Sequence, residues 1–307
     1  MSKTLIVILG PTGVGKTDLS IDIAKHFNTD ISSSDSRQIY REMRIGTAVP
    51  EPEQLAIVKH HFIHTLSIHD RFNSWQCEQQ TLQLLDKLFQ EKNEVLLVGG
   101  SMMYIDAICN GIDKIPTIDL ELREKIFEKY KTEGLESMRM QLKHLDPVFY
   151  NQVDLKNAKR VIHAIEVCLM AGKPYSELRT RTKKKRNFDI IKIGLNRDRT
   201  ELYHRINQRV DAMIEEGLIE EAKSLVEFKQ CNALNTVGYK ELFEHFESKT
   251  SLEKAIDLIK RNSRRYAKRQ LSWFRRDHEI KWFHPDQKRE IIEYLEKKIP
   301  PKHYKPN

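Results

Sequence analysis

The 307-residue chain has 52 Lys and Arg against 44 Asp and Glu, which gives a net charge of +8 at pH 7. Hydrophobic residues make up 39% of it, enough for a packed core, but its apolar runs are too short to cross a membrane. Four scattered cysteines and a first apolar run interrupted at Gly10-Pro11 argue against a disulfide framework and a signal peptide. We therefore expect a cytoplasmic monomer that makes no membrane contact and binds an acidic partner.

A phosphate-binding loop is predicted near the start of the chain. The pattern G-x-x-x-x-G-K-[ST] is matched by Gly10, Pro11, Thr12, Gly13, Val14, Gly15, Lys16 and Thr17. A β-rich apolar run precedes it and a helical apolar spacing follows it, which is the context of a true phosphate loop. Backbone N–H groups at the helix start favour an anion, Lys16 adds charge, and the Thr17 hydroxyl is placed to help hold Mg²⁺. The loop is expected to bind a polyphosphate, without indicating which one.

The next elements predict a sheet of the α/β class. Residues 30–34 form a short strand that ends at Asp35, and residues 94–100 form a second strand with a continuous apolar centre. Such a run suits a strand buried in a parallel sheet. Residues 188–195 predict a further strand that returns to this sheet.

A helical segment interrupts the predicted sheet. Helix-forming residues dominate from 119 to 172, and long helices are predicted at 201–216 and 252–273. The simplest architecture is an α/β protein with a phosphate-loop NTPase-like parallel-sheet core and an inserted helical subdomain. We assign residues 1–112 and 188–307 to the core and residues 113–187 to the insertion.

Basic residues concentrate in two runs. The first lies at 179–186 and the second at 260–276. Each run alone is explained equally well by a solvated helix face or loop. Together with a phosphate loop they favour a polyanion larger than a nucleotide, with nucleic acid first.

Asp35 follows the strand predicted at residues 30–34, on the sheet edge where α/β proteins place their ligands. Its carboxylate has three possible roles: a Mg²⁺ ligand through water, a base that takes a proton from an acceptor, or a helix N-cap. The next strand ends in Val98-Gly99-Gly100-Ser101, where two glycines allow close backbone approach to a ligand. No acidic residue ends this strand, which argues against a motor ATPase.

Five segments in order along nearly the whole chain carry a family resemblance. They are Gly10 to Thr17; Asp35-Ser36-Arg37-Gln38-Ile39-Tyr40 with Ile45-Gly46-Thr47-Ala48; Val98-Gly99-Gly100-Ser101; Val237-Gly238-Tyr239-Lys240-Glu241; and Arg265-Tyr266-Ala267-Lys268-Arg269-Gln270 with Trp273-Phe274-Arg275. Together they resemble the tRNA dimethylallyltransferases, also called tRNA isopentenyltransferases. The chain carries no zinc-finger tail of the eukaryotic kind, so the resemblance is to the bacterial type.

Three positions depart from the family pattern. Ser101 stands where threonine is usual and keeps the hydroxyl, while His163 stands where many members have arginine. Lys240 replaces a common arginine and would hold a phosphate only as a point charge.

The resemblance implies transfer of a dimethylallyl group from dimethylallyl diphosphate to N6 of the adenosine just 3′ of the tRNA anticodon, at position 37. The phosphate loop would then hold the diphosphate leaving group, and Lys16 together with Mg²⁺ on Thr17 would stabilise its charge. Thr12 and Arg209 match residues near the diphosphate. A solvated helix arginine is the alternative for Arg209.

For the acceptor, the resemblance implies that Asp35 is the catalytic base at N6 and that Ser101 orients the same amine. The adenine of the substrate would pass down a channel through the protein. Contacts with the tRNA anticodon stem-loop are implied for Asp35, Ser36, Arg37, Gln38, Ser101, Arg123, Lys159, Arg160, Val161, Ile162, His163, Asn235, Thr236, Val237, Gly238, Tyr239 and Lys240.

Other residues leave alternatives open. Tyr266, Trp273 and Phe274 could stack on bases or pack in the core of a helix. The histidines near residues 60–69 lack the spacing of a metal site. Rival functions are a small-molecule kinase, a nucleic-acid-binding ATPase and an enzyme that prenylates free adenine nucleotides.

Overall fold

The computed structural model describes residues 3–116, 118–180 and 182–299. The chain divides into two compact units. We call residues 1–110 and 185–307 the core unit and residues 111–184 the helical unit. In the described part of the chain, no helix is both long and apolar enough to span a membrane.

Six parallel strands form the sheet of the core unit, in the order β3-β2-β4-β1-β5-β6. Their bounds are β1, Thr4–Leu9; β2, Ile31–Ser34; β3, His60–His61; β4, Glu94–Gly99; β5, Asp189–Leu195; and β6, Lys281–Phe283. The three predicted strands are all present, and the parallel α/β class is confirmed. β1 lies at the centre, where Ile8 pairs with Val98 on one side and with Ile193 on the other.

Helices of the core unit pack on both faces of this sheet and beyond it. They are α1, Lys16–Phe27; α2, Pro52–Ile57; α3, Ser74–Glu91; α4, Met102–Asn110; α9, Arg199–Glu215; α10, Leu218–Ser224; α11, Tyr239–Phe246; α12, Leu252–Phe274; and α13, Lys288–Lys298. Short 3₁₀ turns lie at Ile45–Thr47, Val226–Phe228 and Asn232–Leu234.

Burial explains why these elements form. Every residue of β1 is buried, with Ile6 and Ile8 facing the cluster that contains α1 while Leu5 and Val7 face α3 and α4. Apolar residues on both faces are what a central strand of a two-sided parallel sheet requires. Cys77, Cys109 and Cys168 are buried free thiols, whereas Cys231 is partly exposed.

The helical unit has its own small core. Its elements are α5, Leu120–Leu145; α6, Pro147–Tyr150; α7, Ala158–Ala171; and α8, Tyr175–Leu178. Residues such as Ile126, Leu142 and Ile165 pack together between α5 and α7. Gly134 interrupts α5 with φ 78°, a conformation that favours glycine.

The parallel topology brings the carboxyl ends of β1, β2 and β4 to one edge of the core unit. Ser101 N donates to Ser34 O at 3.3 Å across this edge. The loops that follow these three strands therefore lie side by side, as the sequence predicted.

Candidate functional site

The phosphate loop connects β1 to the first turn of α1. Gly13 and Gly15 adopt φ values of 80° and 102°, in the left-handed region that favours glycine. Lys16 Nζ folds back over the loop and donates to Gly10 O at 3.1 Å and Pro11 O at 2.9 Å. Burial lowers the pKa of Lys16 to about 8, with Asp35 opposing and Arg209 adding to this effect. An anion bound beside the Lys16 ammonium would favour its protonated form.

Not every residue of the predicted loop faces the space above it. Val14 is fully buried in the core, and its backbone N–H and carbonyl bond to Pro11 O and Arg197 Nε. The loop residues that line the cavity above α1 are Thr12, Gly13, Gly15, Lys16 and Thr17.

Arg209 of α9 supplies a second cation over the loop. Its Nη2 donates to Thr12 Oγ1. Its Nε is buried and has no hydrogen-bond partner among the described residues. Burial lowers the pKa of Arg209, although Asp35 opposes that effect. Arg209 is half-buried and its Nε–H is buried without a partner among the described residues, an arrangement that suits an anion better than a solvated helix arginine would.

Asp35 begins the turn that follows β2. Its Oδ1 accepts from Arg37 N at 2.8 Å and Gln38 N at 3.2 Å. The carboxylate therefore caps a turn, not an α-helix, since residues 36–39 form no helix. Both bonds use Oδ1, which leaves Oδ2 for another role.

Ser101 lies at the start of α4 and is 7% exposed. Its Oγ accepts from Ser36 N at 2.8 Å and so links the end of β4 to the Asp35 turn. Gln38 is also committed to the protein, because its Nε2 donates to Ala48 O at 2.8 Å and Thr47 O at 3.2 Å. These bonds hold the residues after β2 in one arrangement.

The two glycines at the end of β4 line the cavity over the phosphate loop and also pack closely against protein atoms. A Cβ at Gly99 would lie 2.2 Å from Ser34 O, and a Cβ at Gly100 would lie 2.4 Å from Gln270 Nε2. Protein atoms occupy the space that side chains would need. Both glycines are required by close packing of the strand end.

Two cavities meet at this edge of the core unit. One, of about 450 Å³, lies over the phosphate loop, and we call it the loop cavity. The other, of about 560 Å³, is bounded by α12 and the segment before α11, and we call it the α12 cavity. The residues that line both are Thr12, Asp35, Thr47, Arg209 and Tyr266.

The segment before α11 forms one wall of the α12 cavity. Its lining residues are Asn235, Thr236, Val237 and Gly238, and Lys240 joins them from the first turn of α11. Arg37, Arg265 and Arg269 also line this cavity, and the last two are exposed. The wall is therefore polar and basic, as an RNA-binding surface requires.

Tyr239 does not belong to that wall. Its side chain is 0% exposed and its hydroxyl donates to Glu221 Oε1 at 2.6 Å. The predicted RNA contact by this side chain is therefore wrong. Glu221 also accepts from the backbone N–H groups of Arg44, Ile45 and Gly46 at 2.8–3.0 Å.

Glu221 thus joins two of the five sequence segments, the one at 45–48 and the one at 237–241. Gly46 faces the Tyr239 ring so closely that a Cβ would lie 2.6 Å from it. The sequence carried no signal for Glu221, because an acidic residue on a charged helix is ordinarily solvated.

The aromatic residues of α12 have different environments. Phe274 is 2% exposed and belongs to the core, and Trp273 Nε1 donates to Asp106 Oδ2 at 2.9 Å. Tyr266 lines both cavities, with the Arg269 guanidinium 5.7 Å from its ring centre. Burial, with a contribution from Asp35, raises the pKa of Tyr266 to about 12. Core packing accounts for Phe274, whereas Tyr266 is part of the site.

In the helical unit, some of the residues predicted to contact RNA are exposed and others are buried. Lys159 and Arg160 are exposed, Ile162 and His163 are half-buried, and Val161 is 0% exposed in the unit's core. The predicted contact by the Val161 side chain is therefore wrong, because no solvent-facing surface remains.

A carboxylate in the helical unit organises two further predicted residues. Arg123 donates to both oxygens of Glu166, at 2.9 Å and 3.2 Å, and His163 lies 3.5 Å from the same group. Burial raises the pKa of Glu166, but the bonds from His163 and Arg123 outweigh that effect and lower it overall. The Arg123 side chain remains 45% exposed, so it is oriented and still accessible.

The first basic run is not uniform. Arg186 is 9% exposed and donates to Glu78 Oε1, Ala107 O and Ile108 O at 2.7–2.8 Å. It caps the carboxyl end of α4, and its guanidinium is too buried to contact a binding partner. Arg181 lies outside the described residues. Among the residues that the structure describes, no group of three His, Cys, Asp or Glu is placed to hold a metal ion.

Fold and site together define a phosphate-loop α/β protein with room for two substrates. The profile of the family described as IPP transferase matches residues 38–277, which is more than half of the chain. The chain belongs to this family, and the resemblance drawn from the five segments is confirmed.

Similar proteins support the same assignment. A protein of Bacteroides fragilis named tRNA dimethylallyltransferase 1 is 56% identical over 97% of this chain and 99% of its own length. A tRNA dimethylallyltransferase of Christiangramia forsetii is 49% identical over 97% and 99%. The structure is similar to a full-length tRNA isopentenylpyrophosphate transferase of Bacillus halodurans, with TM-score 0.70, 34% identity and 96% coverage of both chains. It also resembles a eukaryotic dimethylallyltransferase described as acting on tRNA, with TM-score 0.82, 25% identity and coverage of 99% and 82%.

Proposed function

We propose that this protein transfers a dimethylallyl group from dimethylallyl diphosphate to N6 of adenosine 37 in tRNA. The observation that carries this proposal is the junction of the loop cavity with the α12 cavity. Asp35, Arg209 and Tyr266 line both spaces, so two substrates bound there would meet at these side chains.

The diphosphate belongs in the loop cavity. Lys16, the half-buried Arg209 with its Nε–H unpartnered among the described residues, and the N-terminus of α1 concentrate positive charge there. Charge develops on the diphosphate as the allylic C–O bond breaks, and preorganised cations stabilise it most in a site with little water. Thr17 lines the same cavity, and its hydroxyl suits a Mg²⁺ ion that would neutralise phosphate oxygens.

The adenine belongs in the α12 cavity. The exocyclic amine is a weak nucleophile, since its lone pair is delocalised into the ring. Asp35 Oδ2 takes a proton from N6 as the new N–C bond forms and pyrophosphate leaves. Ser101 holds the Asp35 turn in place through Ser36 N.

The tRNA surface is assigned to exposed basic residues. In the core unit they are Lys240, Arg265 and Arg269, beside the half-buried Arg37. In the insertion, proposed to span 113–187, they are Arg123, Lys159 and Arg160. An adenosine must leave its stack to enter the α12 cavity, and an anticodon loop presents such a base at low cost.

As part of the same proposal, the protein acts as a monomer. A small-molecule kinase would use the loop cavity but would leave the basic wall of the α12 cavity unexplained. The same wall argues against an enzyme for free adenine nucleotides.

The test offers the protein labelled dimethylallyl diphosphate or labelled ATP, with unmodified tRNA, AMP or no acceptor. We expect label from dimethylallyl diphosphate in tRNA alone, located by nuclease digestion and mass spectrometry on adenosine 37. A stem-loop with guanosine at that position is the matched control. Label in AMP, or phosphate transfer from ATP, would overturn the proposal.

A further inference from the structure

Gln270 is a buried polar residue of α12 that the chemistry above does not use. It is 2% exposed. Its Oε1 accepts from Thr12 N at 2.9 Å, and its Nε2 donates to Gly100 O at 2.8 Å. The amide orientation follows from its partners, because Thr12 N can only donate and Gly100 O can only accept.

These two bonds connect the three elements that build the site. Thr12 belongs to the phosphate loop, Gly100 ends β4, and α12 carries Tyr266 and Arg269 along the α12 cavity. Thr12 N–H is one of the loop amides that would otherwise point to an anion, and here a side chain of the protein occupies it. The Val14 N–H also has a protein partner, Pro11 O at 3.4 Å, so a diphosphate would meet the remaining loop amides and the Lys16 ammonium.

The Thr12 side chain extends this connection to the cation above the loop. Its hydroxyl accepts from Arg209, whose Nε–H is buried without a partner among the described residues. A shift of Thr12 would therefore move the guanidinium with it. Gly100 leaves room for the Gln270 amide, since a Cβ at Gly100 would lie 2.4 Å from Gln270 Nε2.

We propose that Gln270 is a positioning residue that sets the Thr12–Arg209 pair over the leaving diphosphate and links the helix of the α12 cavity to the phosphate loop. This inference rests on the proposed function. It predicts a defect in the transfer step with little change in RNA binding, because Gln270 lines the loop cavity and not the α12 cavity. Misplacement of a catalytic group by about 1 Å can cost roughly a hundredfold in rate.

The test compares Gln270→Met, which keeps the side-chain volume but removes both bonds, with Ser272→Ala at an exposed position of the same helix. Single-turnover rates are measured with saturating enzyme and dimethylallyl diphosphate, because that rate constant does not depend on the folded fraction. We expect a fall of roughly ten- to a hundredfold for Gln270→Met. Stem-loop affinity should stay within about twofold, and Ser272→Ala should match the wild type.

A second variant keeps the proposal testable if Gln270→Met does not fold. Gln270→Glu can still accept from Thr12 N but cannot donate to Gly100 O, and it brings a negative charge to the loop. Both its single-turnover rate and its affinity for dimethylallyl diphosphate should fall about tenfold or more. A wild-type rate constant in either folded variant would overturn the positioning role. Failure of the wild-type protein to modify tRNA would instead overturn the proposed function.

Discussion

Asp35 carries the sharpest question at the scale of single residues, since one oxygen caps a turn and the other is proposed as a base. In Asp35→Asn, the amide oxygen can accept the same two bonds, so the turn should survive. The variant loses basicity, and general-base catalysis contributes about 10²–10⁴-fold. Single-turnover rates should fall by that factor at every Mg²⁺ concentration.

The alternatives for Asp35 differ in the same experiment. A Mg²⁺ ligand would show partial recovery of the rate as Mg²⁺ is raised. A residue that only caps the turn would leave the rate within a few fold of wild type, because Asn and Asp cap equally well. Affinity for dimethylallyl diphosphate serves as the control and should hardly change.

Lys16 makes binding of dimethylallyl diphosphate depend on pH. Burial is the main cause that lowers its pKa to about 8, so the free protein loses this charge as pH rises through 8. A bound diphosphate favours the protonated form, and binding above pH 8 must therefore take up a proton. The dissociation constant should rise by up to about tenfold per pH unit between pH 8 and 9.5.

The measurement is titration calorimetry at fixed free Mg²⁺ and several pH values. Lys16→Met should bind more weakly but should lose this dependence. A flat profile for the wild-type protein would contradict the assignment of Lys16 to the diphosphate.

At the scale of elements, Glu221 and Tyr239 hold the 3₁₀ turn at Ile45–Thr47 against α11. Burial raises the pKa of Tyr239, so its hydroxyl stays a donor over the working pH range. Tyr239→Phe removes one bond to a charged acceptor, which typically costs about 1.5–3 kcal/mol. The half-buried Tyr294 packs against a different hydrophobic cluster from that of Tyr239 and provides the control Tyr294→Phe.

Denaturant unfolding measures both variants. The midpoint for Tyr239→Phe should fall clearly further than that for Tyr294→Phe. Equal shifts would show that the bond to Glu221 adds little to stability.

Arg186 illustrates how one residue of a basic run can have a purely structural role. Arg186→Gln removes the cation beside the buried Glu78 and two bonds to the end of α4. Breaking such a buried pair costs about 3–5 kcal/mol. The exposed neighbour gives the control Lys185→Gln, which should leave the unfolding midpoint unchanged.

Stem-loop affinity per folded molecule should be unaffected in Arg186→Gln. A specific loss of RNA binding at full stability would mean that Arg186 contacts RNA and that this interpretation is wrong.

At the scale of the whole molecule, the chain carries a net charge of +8 and many of its Lys and Arg residues are exposed. Each RNA phosphate neutralised by the protein releases counterions and adds about 0.7–0.9 to the slope of log affinity against log salt. The affinity for the stem-loop should therefore fall steeply between about 50 and 200 mM salt, by a factor typical of a protein that makes several phosphate contacts. Dimethylallyl diphosphate, held by a few partly buried groups, should respond less.

Fluorescence anisotropy with a labelled stem-loop measures the slope. Replacing the exposed pair Arg265 and Arg269 by Gln should reduce it, whereas Arg289→Gln on α13 should not. A slope near zero for the wild-type protein would rule out the basic surface.

The sequence by itself determined those features that depend on neighbours along the chain. The phosphate loop, the buried strand β4 and the long helix α12 follow from local patterns, and α12 ends one residue beyond its predicted end, at Phe274. Parallel topology then places Asp35 and Ser101 at one edge, because each follows a strand. Features that depend on a few neighbouring residues can therefore be predicted from the sequence alone.

Only the tertiary structure decided which side chains face a ligand and which hold the site together. Gln270 reaches Thr12 across 258 residues of sequence, and Glu221 reaches Gly46 across 175. Tyr239 and Val161 lie within segments predicted to touch RNA but are fully buried. No local pattern records such partners, because a buried hydrogen bond depends on where distant elements meet when the core packs.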